Sequence, residues 1–105
     1  MRSRATRIQP HILVNKYVDG VPYANTVVDL SESGIALRKG VEPDHRKDAQ
    51  ILIELVLNSA KAPLWLECES ARSSGPHFEA FAFADMSVPN QRIVRRFVEH
   101  RSLDV

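Results

Sequence analysis

Cysteine is nearly absent from the sequence: Cys68 stands alone among 105 residues. That excludes an internal disulfide and any multi-cysteine zinc site. The four histidines, His11, His45, His77 and His100, are scattered and show no HxxxH-type spacing, so a metal site has no local support. No apolar run approaches the roughly 18 residues of a membrane-spanning helix, and membrane insertion is not expected. Met1 to Arg7 is basic, but Pro10, His11 and Asn15 follow, which is too polar for a signal-peptide core. Together with the lone thiol this points to the cytoplasm. Aromatic residues make up only 7%, and Trp65, Tyr17 and Tyr23 are too scattered for the face of interleaved aromatic and basic residues that single-stranded nucleic acid requires. There is little net charge, with 14 basic against 13 acidic residues, so neither DNA nor RNA is expected as a partner.

Catalytic signatures are missing too. No GxSxG, P-loop or dinucleotide fingerprint occurs, and no nucleophile has a base beside it. Cys68 falls in an expected strand, where a lone thiol is a small hydrophobe, and Glu67 and Glu69 read as a solvated pair. The expectation is a protein that is not an enzyme and needs no cofactor.

What is present is a globular composition, 44% hydrophobic, in a chain long enough for one core without staples. Residues 11–18 mix β-branched and aromatic residues, and Asp19-Gly20 signals a tight hairpin turn. Residues 23–30 return, 35–38 form a short third strand, and 40–49 a long charged loop. Ile51, Ile53, Leu55 and Leu57 alternate on one face of a fourth strand. Residues 64–71 and 77–84 are the fifth and sixth. The period then changes: after the N-cap candidate Ser87, Ile93, Val94, Phe97 and Val98 recur at helical spacing to about residue 101. Six strands closed by one helix predict a mainly β protein, a small antiparallel barrel with the helix over an open end.

Charge is uneven along this frame. Arg2, Arg4 and Arg7 crowd the start, and the first acidic residue is Asp19. Arg92, Arg95, Arg96 and Arg101 form a second cluster, which reads as a solvated helix face. The segment Asp29-Leu30-Ser31-Glu32-Ser33-Gly34 ends the second strand. Asp and Ser suit a turn, and Gly34 is expected to supply a positive φ or to let the backbone approach a ligand closely.

VVDLSESGIAL closely resembles the DxSxxG signature of PilZ domains, bacterial receptors for cyclic diguanylate (c-di-GMP). FEAFAFADMS followed by a helix is similar to that family's final strand, with Ala80 where glycine is usual. The resemblance implies a six-stranded antiparallel split β-barrel with one C-terminal α-helix. The expected organisation is one domain: a flexible basic arm over 1–10, the barrel over 11–85 and the helix over 87–101. The family's arginine motif is RxxxR. Here Arg7 fits its second position, and the first is Ser3, flanked by Arg2 and Arg4.

The resemblance further implies a c-di-GMP site formed by Arg2, Arg4, Arg7, Asp29, Ser31 and Gly34. The chemistry agrees. A guanidinium pairs bidentately with a phosphate or with guanine O6 and N7, and stacks on a base. Asp29 accepts from the guanine N1–H and N2–H edge, and Ser31 donates to a phosphate. The 105 residues suffice for arm, barrel and helix, so the expected role is a stand-alone receptor and adaptor that signals to a downstream protein. The alternative is a degenerate PilZ-like protein that binds no nucleotide and works by protein–protein interaction in motility or type IV pilus function.

Overall fold

A computed structural model describes residues 8–9, 12–57, 62–71 and 77–103, with backbone alone for 101–103. The elements follow the order read from the sequence: β1 (Leu13–Val18), β2 (Val21–Leu30), β3 (Gly34–Arg38), β4 (Ile51–Leu55), β5 (Leu64–Ser70), β6 (Phe78–Phe83) and α1 (Val88–Leu103). The strands form a closed antiparallel barrel in the order β1-β2-β3-β6-β5-β4, with β4 paired back to β1.

Local chemistry sets this path. Asp19 and Gly20 both have positive φ, 48° and 87°, in a two-residue loop that pairs Val18 with Val21. Two left-handed residues define the type I′ turn, whose twist matches the strands it joins, and Asp-Gly is among the sequences that best tolerate it. Asp19 also accepts from the Gln50 amide at 2.9 Å, tying the hairpin to the start of β4. At the other end of the chain, Ser87 Oγ accepts from the Asn90 amide at 3.3 Å and caps α1.

The interior is filled by alternate residues of every strand, among them Val27, Leu37, Ile53, Leu55 and Leu66. Val94, Phe97 and Val98 of α1 join the same cluster, and Arg92, Arg95 and Arg96 face solvent as expected. Ile8, assigned from the sequence to a flexible arm, is instead buried and pairs with Leu30 through two backbone hydrogen bonds of 2.9 Å. The barrel thus begins to be built before residue 11.

Candidate functional site

The expected binding turn lies where β2 passes into β3, and its geometry starts with an irregularity one residue upstream. Val27 pairs with Leu37 but Asp29 pairs with Ala36, so Val28 is an extra residue in β2. Such a bulge shifts the side-chain alternation by one. Asn25 and Val27 point into the barrel, and an unbroken strand would send Asp29 after them. With the bulge it is Leu30 that is fully buried, and Asp29 is left half-buried at the rim.

The turn itself is held from several sides. The Ser31 amide donates to the Gly34 carbonyl at 3.0 Å, and Ser31 Oγ accepts from the Ser33 amide at 3.2 Å. Ser31 Oγ is also 3.1 Å from Ser33 Oγ. The Ser33 carbonyl accepts from the Phe83 amide at the end of β6, at 3.0 Å. Glu32 accepts from Arg95 Nε of α1 at 2.7 Å, which raises the guanidinium's already high pKa.

Gly34 corrects the sequence reading. Its φ is not positive; among the described glycines only Gly20 has that conformation. A Cβ at Gly34 would lie 2.5 Å from the Phe81 carbonyl oxygen, well inside van der Waals contact. The glycine is therefore required by the close approach of β3 to β6 and not by the turn's backbone geometry.

Residues 1–100 match the family model described as the PilZ domain. The chain belongs to the PilZ domain family. Solved structures agree on the fold. The PilZ domain of CeSA from a cellulose-synthesizing bacterium is 22% identical with a TM-score of 0.71, over 91% of this chain and 97% of that one. The Bacillus subtilis inhibitor of motility, MotI/DgrA, is 13% identical with a TM-score of 0.74 over 99% of this chain. This chain spans about half of MotI, 52%. The Borreliella burgdorferi PlzA protein, solved in complex with c-di-GMP, is 12% identical with a TM-score of 0.64, over 92% of this chain and 41% of its own. None of the curated proteins matches the sequence.

Within the PilZ barrel, Asp29, Ser31 and Gly34 thus lie together at one rim, whereas Arg2, Arg4 and Arg7 fall outside the described residues. The residue that follows Arg7 in sequence is hydrogen-bonded to Leu30, between Asp29 and Ser31.

A second polar constellation, which sequence reasoning missed, occupies the barrel interior beneath the loop 39–50. Lys16 of β1 is 0% exposed and donates to Glu42 of the loop and Glu79 of β6. Asn25 Nδ2 donates to the second Glu42 oxygen at 3.0 Å, and His45 Nε2 lies 3.0 Å from the second Glu79 oxygen. Burial by itself would raise the Glu42 pKa. Hydrogen bonds from Lys16 and Asn25, the Lys16 charge and the Gly40 amide outweigh that and hold it below the ordinary glutamate value. Lys16 Nζ also lies 5.9 Å from the Phe81 ring centroid. Cys68 is buried in β5, and burial pushes its thiol up to about 12, far from a reactive thiolate. Among the described residues no group of three His, Cys, Asp or Glu is placed to hold a metal ion, and no helix is long and apolar enough to cross a membrane.

Proposed function

We propose that this PilZ protein is a receptor for c-di-GMP, binding it at the β2–β3 rim, and that it passes the signal to a partner protein. The observation that carries the reading is the pairing of Ile8 with Leu30. It ties the chain immediately after Arg7 to the middle of the Asp29–Ser31 segment. Short-range attachment of an arginine-rich segment to a rim bearing a carboxylate and a hydroxyl provides all the groups the ligand needs. Arginines supply bidentate phosphate and guanine contacts and a flat stacking surface. Asp29, turned to the rim by the bulge, accepts from the guanine N1–H and N2–H edge. With Ser33 Oγ donating to it at 3.1 Å, the Ser31 hydroxyl, in a residue only 7% exposed, keeps its own proton for a phosphate. Engagement of the ligand by the arginines that precede Ile8 would alter the surface offered to the partner.

Likeness of fold to PlzA, solved with c-di-GMP, and to an inhibitor of motility supports a receptor acting through other proteins. A second reading, a PilZ barrel that docks partners without nucleotide, is favoured by Gly34 and Ser31. The β3–β6 approach explains the glycine, and the turn's own hydrogen bonds explain the serine, with no ligand present. Isothermal titration with c-di-GMP separates the two. Micromolar or tighter binding that weakens with salt and vanishes in Arg7→Ala and Asp29→Ala is expected. Absence of heat at high ligand concentration establishes the second reading instead.

A further inference from the structure

The outer faces of β1, β4 and β5 form one continuous surface that neither the core nor the proposed ligand site uses. Alternation sends Leu13, Asn15 and Tyr17 outward from β1, Leu52 and Glu54 from β4, and Trp65, Glu67 and Glu69 from β5. The register aligns them in rows: Tyr17 with Leu52 and Glu67, and Asn15 with Glu54 and Trp65. Tyr17 and Trp65 meet diagonally across β4, with ring centroids 5.4 Å apart. Trp65 remains 46% exposed and Leu13 71%. Single exposed apolar residues are ordinary on any surface, but an aromatic pair framed by aliphatic neighbours on three paired strands is the composition of an interface centre.

The charge that the three strands themselves bring to this face is of one sign, with Lys47 of the loop lining a cavity beside Glu69 at its edge. The charged groups of the strands here are Glu54, Glu67 and Glu69, and the sole basic residue of the three strands, Lys16, points into the barrel. An acidic rim repels nucleic-acid phosphates and anionic lipid headgroups and attracts a basic protein surface. Closure of the barrel leaves no free strand edge on these strands, so a partner engages side chains and adds no strand.

We infer that this face docks a partner protein through a basic amphipathic helix, whose aliphatic stripe covers Tyr17, Leu52 and Trp65 while its arginines or lysines meet Glu54, Glu67 and Glu69. Arginine is the best match, because it pairs with the carboxylates and also lies on the Trp65 ring. The chain's own basic helix face, with Arg92 and Arg96, offers similar charge. Its use by a second copy would be a head-to-tail contact, which propagates into filaments unless its rotation closes a ring. A foreign helix gives a finite complex. This assignment rests on the adaptor half of the proposed function and is independent of whether nucleotide binds.

Trp65 is the only tryptophan, so intrinsic fluorescence reads the centre of the face directly. The full chain is titrated with a tryptophan-free amphipathic peptide of leucine and arginine, and in parallel with its glutamate counterpart. A blue shift of Trp65 emission with the basic peptide alone, weakening as salt rises, is the expected result. Glu67→Lys with Glu69→Lys, both exposed, should weaken binding about tenfold or more. That variant should keep the parent's circular dichroism and its heat of c-di-GMP binding. An unchanged emission spectrum at saturating peptide, or equal binding by the charge-reversed variant, overturns the inference. So does sedimentation showing that the parent self-associates through this face. Loss of c-di-GMP binding in the parent would remove the receptor reading and leave the docking result standing.

Discussion

Replacing Lys16 with methionine keeps the length and apolar stem of the side chain and deletes its charge. The deletion leaves Glu42 and Glu79 with no cation between them, and their side chains are only 7% and 9% exposed. Breaking a buried ion pair by removing one partner costs about 3–5 kcal/mol, because the remaining charge stays desolvated. A domain of this size has about 5–15 kcal/mol in total, so Lys16→Met should consume a large part of it. At about 4–8 °C per kcal/mol the melting temperature should fall by about 12 °C or more. The cost lies in stranded carboxylates and not in lost volume, which a triple variant tests. Lys16→Met with Glu42→Gln and Glu79→Gln should recover most of the loss, since amides tolerate burial with the Asn25 and His45 partners that remain. Urea melts followed by circular dichroism measure all three proteins. A single variant within about 1 kcal/mol of the parent, or a triple variant no better than the single, would refute the argument.

Gly34→Ala should destabilise by about 1–3 kcal/mol, the usual cost of forced overpacking, since the new Cβ would meet the Phe81 carbonyl at 2.5 Å. Stability equal to the parent's in thermal melts would show that β3 and β6 separate freely there. Glu42 predicts an acid dependence of definite sign. Its pKa is lower folded than unfolded, so its contribution is present above the unfolded value, about 4.3, and is lost as pH falls through the folded value. Glu42→Gln should therefore lose stability less steeply than the parent in urea melts between pH 5 and pH 3, and identical slopes would contradict the assignment.

The strands and helix are legible in the sequence because their signals are local. Alternation in 51–57, Asp19-Gly20 and the Ser87 cap each act within a few residues, and each recurs in the structure at nearly the expected place. The Lys16 network was not legible for the opposite reason. Its carboxylates come from 26 and 63 positions away, so no spacing rule connects them. Period two between Val14 and Lys16 does place the lysine inward, but the strong tendency of lysine to stay exposed argues the other way. Gly34 was misread on similar grounds: a glycine closing a polar turn suggests positive φ, and the strand that needs it is distant in sequence.

The Val28 bulge shows how closely fold and candidate site depend on each other. Hydrophobic pattern alone gives two phases for β2, one inward at Asn25 and Val27 and another at Leu30. The conflict is resolved by one unpaired residue, which lets Leu30 enter the core beside Ile8 and sets Asp29 at the rim. Leu30 burial and the half-buried position of Asp29 are thus one event. Because Leu30 also carries both backbone bonds to Ile8, the same event fixes where the arginine-bearing segment joins the barrel. The half-buried position of Asp29 and the point at which the chain enters the barrel at Ile8 thus follow from a single packing choice, made by the energetics of the core.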